Sequence, residues 1–372
     1  MAALTEEQTL IRDQAQAWTS EQAPVASFRS MRDSGVPGGY VPETWSAMVD
    51  MGWTGILVPE AHGGSDLGYL TFGLILEQTG RQLTASPLFA SAFVGASALL
   101  IAGDAAQQER LLPAIVDGSE ILTLAVDEGP RHDPQTQTLS AVRSDAGFVL
   151  SGAKQFVVEG GTATTLIVAG RAEEGVTLFV VPADAAGVTR TALSMLDSRG
   201  YAHIEFDQVE VPAGAVLGEL GDGDAVLEQL LDCARAGLTA EMLGTAAQAF
   251  DMTLDYLKTR EQFGRVIGSF QALGHRAADL FSQMELARSC SEAALSALDS
   301  GSEDVPRLAS LAKARVGDFL HDMSNQLIQI HGGIGMTDEF DAGLYLKRAR
   351  TLEGLYGNPA FHRDRYARLL GF

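Results

Sequence analysis

The sequence predicts an α+β chain: an N-terminal helical domain, a middle antiparallel β domain and a C-terminal four-helix bundle. Three observations predict it. Apolar residues first recur at helical spacing, the period then falls to two while β-branched residues accumulate, and the helical period returns in runs of about 25 to 35 residues.

The elements can be justified in order. From Leu4 to about Gly118, "TEEQTLIRDQAQAW", "PETWSAMVDMGW", "YLTFGLILEQTGRQL" and "AAQQERLLPAIVDG" are periodic and parted by Gly and Pro breakers, which sets a helical domain over 1–119. Between Glu120 and about Leu217, "ILTLAV", "GFVLSGAKQFVV", "TLIVAGR", "VTLFVVPA" and "AHIEFDQVEVP" read as short strands. Their tight spacing predicts a small antiparallel barrel or sandwich over 120–218. From about Asp222 onward the runs are long enough for a packed antiparallel bundle over 219–372.

Composition narrows the function classes. With 372 residues, 46% hydrophobic and 20% charged, the chain can bury more than one core. A formal charge of -22 repels phosphate backbones and anionic lipid, so neither nucleic acid nor membrane is an expected partner. Any anionic ligand must be held by local donors. Cys233 and Cys290 fall in helix-like stretches without metal spacing and read as reduced core residues. The N-terminus "MAALTEEQTLIRDQ" is acidic and amphipathic, which makes a cytoplasmic protein the expectation.

Three stretches carry a resemblance. "LVPEAHGGSDLGYLTFGLILEQTGRQL" (57–83), "YLKTREQFGRVIGSFQALGHRAADL" (256–280) and "QIHGGIGMTDEFDAGLYLKR" (329–348) resemble the acyl-CoA dehydrogenases, over nearly the whole chain. In detail the chain is most similar to the small, β-type subunits of heteromeric members, such as pimeloyl-CoA dehydrogenase and actinobacterial steroid side-chain dehydrogenases. The resemblance implies an acyl-CoA substrate, an FAD cofactor and an electron-transferring flavoprotein as electron acceptor. In such chemistry a carboxylate takes the Cα proton while hydride leaves Cβ for the flavin, so base and flavin face each other across the thioester.

Residue chemistry fits the implied cofactor. In "REQFG", Arg260 offers a planar fork of donors for pyrophosphate, Gln262 can reach a ribose or phosphate oxygen, and Phe263 presents a flat apolar face. In "QIHGGIG", Gln329 precedes Gly332, Gly333 and Gly335, which leave backbone N–H groups open to a ligand. By resemblance these residues, with Ile267 and Phe270, hold the adenine and pyrophosphate end of an FAD whose ring lies in a neighbouring subunit. Alone, "GGIG" also reads as a helix stop, and Arg260 as a solvated helix charge. His275 in "GHR" reads as a packing or interface residue.

The part of the flavin site that members contribute from their own subunit differs here. A Thr-Glu-Pro stretch followed by Gly-Ser-Asp is replaced by "AVDEGPRHDP" (125–134), and the tryptophan and threonine beside the ring by "AKQFVVEGG" (153–161). The family's C-terminal base position falls on Tyr356, followed by Gly357, and its alternative position on Ala234, before Arg235. Glu353 lies three residues before Tyr356, displaced by about 4.5 Å along a helix. It reads as a structural acid, in a salt bridge to Arg350 or Lys347 or on a solvated face, and would reach a nearby site only if the helix shifts. Glu241, alone in the small, apolar run "CARAGLTAEMLGTAAQAF", reads first as a structural acid paired with a bundle arginine, and is the remaining candidate for a base or substrate-binding group. Its neighbours Gly237, Ala240 and Gly244 mark either tight helix packing or a widened acyl pocket for a bulky acyl group.

The expectation is therefore an acyl-CoA dehydrogenase fold acting as the accessory subunit of an α2β2 heterotetramer, beside a homologous subunit that carries the catalytic glutamate. A self-sufficient homotetramer using Glu241 and a flavin-free structural subunit are the alternatives.

Overall fold

The computed structural model of the chain describes residues 4–372. Helix α1 (Glu6–Gln22) opens on a capping box: the Thr5 side chain accepts from the Gln8 N–H, and the Thr5 N–H donates to the Gln8 side chain. Then come α2 (Val25–Ser34), α3 (Pro42–Asp50), α4 (Gly68–Arg81), α5 (Ala96–Ala102) and α6 (Ala105–Val116). Asp104 and Gln107 build a second capping box at the start of α6.

Eight strands follow: β1 (Leu122–Ala125), β2 (Ser140–Ser144), β3 (Gly147–Val158), β4 (Thr165–Arg171), β5 (Val176–Pro182), β6 (Val188–Leu193), β7 (Tyr201–Pro212) and β8 (Val216–Leu217). They form one sheet in the order β6-β7-β3-β2-β4-β5-β8, with β1 added beside β4. Most pairs are antiparallel. However, β1 runs parallel to β4 over Leu122↔Thr165 to Ala125↔Val168, and β2 meets β4 in parallel at Ser140↔Arg171. The sheet departs from the antiparallel pattern expected of this domain only at these two pairings. No hairpin joins β1 to β4, and both strands are apolar and buried on both faces, as parallel strands characteristically are.

The C-terminal helices are α7 (Gly223–Thr259), α8 (Gln271–Asp299), α9 (Val305–His331), α10 (Ala342–Gly354) and α11 (Pro359–Leu369), with a hairpin of β9 (Glu261–Gln262) and β10 (Arg265–Val266) between α7 and α8. The chain packs as two compact units. One comprises the described residues up to Phe28, Tyr69–Thr84 and Arg235–Phe372; the other comprises Arg29–Gly68 and Ala85–Ala234 and contains the sheet.

Within the first unit, α4 crosses α7 backbone to backbone. A Cβ on Gly80 would overlap the Glu241 carbonyl, and one on Gly244 would overlap the carbonyl of Glu77. Glycine at both positions is what permits the approach. The two glutamates of the crossing each take a partner: Glu77 accepts from Arg288 Nη1 at 2.8 and 2.9 Å, and Glu241 from Arg348 Nη2 at 2.6 Å and Nε at 3.0 Å. At the start of α4, the N–H groups of Tyr69 and Leu70 donate to Asp299 at the end of α8, which satisfies donors that the helix itself cannot.

Candidate functional site

Arg260 ends α7 and begins the hairpin. Its N–H donates to Tyr256 O at 2.9 Å, and its own carbonyl accepts from Ile267 N–H at 2.8 Å, so the hairpin closes back onto Arg260. The turn is made by Phe263 at φ +55° and Gly264 at φ +76°, and Phe263 is left 91% exposed. Its ring meets Phe270 edge-on at 6.1 Å, while the Arg265 guanidinium covers Phe270 at 4.0 Å. Ile267 is buried beneath them; Arg260 and Gln262 face solvent. A large apolar ring held in a left-handed backbone conformation and in water bears two costs, which fits a surface that meets a ligand or partner.

The second motif closes α9. Gln329 is exposed, and Gly332, at φ +61°, and Gly333 have no atoms in the space a Cβ would fill. Gly335, by contrast, packs against His331 and Ile328. His331 lies between two rings, with centroids 4.2 Å from Tyr256 and 4.7 Å from Phe340. Its Nδ1–H donates to Leu327 O at 2.8 Å; burial nevertheless pushes the imidazole below the usual histidine range. Through this stack, "REQFG" and "QIHGGIG" meet at one end of the first unit. The Gly332 N–H itself donates to Ile328 O, but an exposed guanidinium, a glycine pair with no side chains in the way and a flat apolar face together suit a polyanion that carries a ring.

Around Tyr356, where the resemblance put the family's base, the chain builds a buried polar cluster. Tyr356 is buried at φ +55°, and its carbonyl accepts from His362 Nε2 at 3.0 Å and Arg235 Nε at 3.3 Å. Lys313, fully buried, donates from Nζ to the carbonyls of Leu352 at 3.0 Å, Gly357 at 3.1 Å and Glu353 at 3.3 Å. Burial, helped by the nearby Arg235 charge, pushes Lys313 down to about 7. Burial, with Lys313 and Arg235 adding to it, pushes His362 down to about 2. Glu353 pairs with Arg350 and lies 3.1 Å from His321 Nδ1, as the salt-bridge reading expected. Glu241, held by Arg348, occupies the setting expected of a paired structural acid. His275 is exposed on α8 and packs in no core of the described residues.

Family models for acyl-CoA dehydrogenases match the chain in three stretches: the N-terminal domain over residues 5–119, the middle domain over 127–209 and the C-terminal domain over 221–371. The chain belongs to the acyl-CoA dehydrogenase family. The dehydrogenase is 32% identical over 333 residues to a mitochondrial 2-methylacyl-CoA dehydrogenase of Solanum tuberosum, covering 86% of this chain and 80% of that one. Among solved structures it is similar to a variant of the Tcur3481-Tcur3483 steroid ACAD (TM-score 0.90, 31% identity, 98% of each chain). It is also similar to the ChsE4-ChsE5 complex from Mycobacterium tuberculosis (TM-score 0.92, 26% identity, 100% and 99%). Among the described residues, no helix is long and apolar enough to cross a membrane, and no cluster of metal-ligating side chains occurs.

In the second unit, the 125–134 segment is tied to Lys154 and to the residues that follow it. Lys154 Nζ, fully buried, donates to Glu128 Oε1 and Gln137 Oε1, both at 2.6 Å, and to Val126 O at 3.1 Å. Glu128 also accepts from the N–H groups of Thr138 at 2.8 Å and Leu139 at 2.9 Å. Burial alone would raise the Glu128 carboxyl, but the bonds from Lys154, Thr138 and Leu139 outweigh it and hold the group below its ordinary range. Burial pushes Lys154 down to about 8 against the pull of Glu128. Asp127 accepts from Asp133 N–H and lies 2.9 Å from His132 Nδ1. Phe156, within the 153–161 stretch, sits at φ +52° in a β3 bulge.

Sequence reasoning passed over His331, Lys313 and Lys154, although His331 and Lys154 lie inside stretches it singled out. The available signals were a histidine between the last apolar residue of a helix and a glycine pair, and lysines in otherwise buried apolar patterns.

Proposed function

We propose that the dehydrogenase is the accessory subunit of a cytoplasmic α2β2 assembly that desaturates an acyl-CoA. In this reading it lends Arg260, Gln262, Phe263, Ile267, Phe270, Gln329, Gly332 and Gly333 to the adenine and pyrophosphate end of an FAD whose ring and catalytic glutamate belong to a homologous partner. The observation that carries the reading is a contrast. Arg260 and Gln262 are exposed and nothing stands where side chains on Gly332 and Gly333 would, whereas in the 125–134 segment Glu128 is held by Lys154, Thr138 and Leu139, and Asp127 by Asp133 and His132.

The bound flavin supplies the hydride acceptor. This chain's residues hold and orient it. Arg260 would neutralise pyrophosphate charge, Gly332 and Gly333 would let the ligand approach the backbone without a side chain between, and Phe263 would shield a flat face from water. The pairing of Glu241 with Arg348 and the packing of Gly244 against Glu77 support the structural reading of that run over a base beside a widened acyl pocket. An electron-transferring flavoprotein is the proposed electron acceptor.

The test is to purify the chain alone and co-expressed with its candidate partner, then measure bound flavin per protomer and acyl-CoA oxidation. Flavin and activity that appear only in the complex support the proposal. Flavin-loaded, active protein from this chain alone returns the self-sufficient reading, and an active complex whose flavin content ignores substitution of Arg260 leaves a purely structural subunit.

A further inference from the structure

His331 is the last residue of α9 and directly precedes Gly332. Its imidazole is buried between the rings of Tyr256, from α7, and Phe340, from the segment before α10, with ring planes inclined by 31° and 36°. Leu327 O can only accept, so Nδ1, 2.8 Å from it, carries the ring's proton. Nε2 is then a bare lone pair. It is buried and meets no hydrogen-bond partner among the described residues.

A buried acceptor left unsatisfied is already unfavourable, and a charged donor in the same place is more so. Protonation of Nε2 would create such a donor. Two aromatic faces attract a cation, but no carboxylate assists them. Asp338, Glu339 and Asp341 flank Phe340, Lys258 and Arg260 follow Tyr256, and none of these acts on the imidazole; burial outweighs the bond to Leu327 and holds the group below the usual histidine range. A way out of the slot lies beside it. Gly332 stands at φ +61°, and neither it nor Gly333 has an atom in the space a Cβ would fill, so the turn can pivot there. The Tyr256 carbonyl accepts the Arg260 N–H, so a stack that opens changes the distance between the Arg260 hairpin and the Gly332–Gly333 turn.

We propose that His331 is a pH-sensitive latch: the neutral imidazole holds the ends of α7 and α9 together, and a proton taken from acidic solvent onto Nε2 drives the ring out of its slot and parts the two motifs. The sign follows from which form the slot accepts. A released imidazole binds its proton near about pH 6.5 and the stacked one only at lower pH, so the latch is closed above about 6.5 and weakens as pH falls below it. The latch stands on the stack alone and does not require that the motifs bind flavin; where they do, acid loosens their hold on it.

The test is hydrogen exchange of the full chain without flavin, at about pH 7.5 and about pH 5.5, corrected for the intrinsic pH dependence of the exchange chemistry. Acid should lower protection by about fivefold or more at the α7 end near Tyr256 and at the α9 end near His331, the ratio that about 1 kcal/mol corresponds to. The buried interior of α7 around Thr245 should keep its protection. His331→Phe, which keeps a ring between Tyr256 and Phe340 but takes no proton, should hold both ends closed at either pH. His331→Leu, which also takes no proton, should show the same pH independence from a lower starting protection. Ends equally protected at both pH values in the unmodified chain, an acid loss that persists in both variants, or a loss spread evenly through the chain would each overturn the proposal.

Discussion

The rings of Tyr256 and His331 lie 4.2 Å apart, centroid to centroid, and this contact brings the ends of α7 and α9 together. Tyr256 accepts the Arg260 N–H through its carbonyl, and His331 directly precedes Gly332, so the stack fixes the spacing of two motifs that are remote in sequence. Tyr256→Ala removes an aromatic contact worth about 0.5 to 1.5 kcal/mol. Flavin should dissociate about 2- to 10-fold faster from the complex, measured by loss of bound flavin under dilution, while Tyr256→Phe should behave as the unmodified protein.

Arg260→Ala should lower flavin affinity of the complex about 10- to 100-fold, because a charge-assisted contact to pyrophosphate contributes roughly 1.5 to 3 kcal/mol. Arg260 is exposed, so melting of the flavin-free protein should not move. Equal flavin retention in both proteins would show that the guanidinium faces only solvent.

Glu241→Gln should act on stability rather than rate. Breaking a buried pair typically costs 3 to 5 kcal/mol; because glutamine keeps one hydrogen bond to Arg348, about 2 to 3 is expected here. Flavin reduction by substrate should stay within about tenfold of the unmodified complex, whereas loss of a general base costs about 10²- to 10⁴-fold. Unaltered melting with collapsed reduction would make Glu241 the base. The same pair of measurements on Glu353→Gln should show a smaller change in melting, since its partners Arg350 and His321 are partly exposed.

Gly244→Val should cost at least about 2 kcal/mol, read as a fall in melting temperature, because its side chain has no space beside the Glu77 carbonyl and α4 must move away from α7. A surface glycine with open surroundings, such as Gly354, should tolerate alanine with little change.

Lys313 predicts a pH dependence with a defined sign. Its folded pKa of about 7 lies below the unfolded value of about 10.4, so between these values the unfolded chain binds more protons and stability rises with pH. The contribution is complete above the unfolded value and is lost as pH falls toward 7. Melting followed from pH 7 to 10 should therefore improve more steeply for the unmodified protein than for Lys313→Met. Parallel curves would mean that Lys313 keeps its proton throughout, held by its three carbonyl partners.

Much of this was legible in the sequence for local reasons. The change of period from 3.6 to 2 and back marks the helical, β and helical regions. The glycines of "QIHGGIG" and the "REQFG" turn identify open backbone, because glycine and turn chemistry act within a few residues. The pairing of Glu353 with Arg350 was also readable, since residues three apart on a helix are neighbours.

Contacts between distant residues had to wait for the tertiary structure. Glu241 could have met any bundle arginine, and it is the packing of α10 beside α7 that selects Arg348. Gly244 could have lined a pocket or sealed a crossing, and the backbone approach of α4 to α7, permitted also by Gly80, makes it a seal. The parallel register of β1 on β4 and the burial of Lys154 against Glu128 both depend on which surfaces come together over long separations. Periodicity states which face of an element is apolar, but many partners can cover such a face. The choice among them is made by volume, backbone clearance and charge in three dimensions.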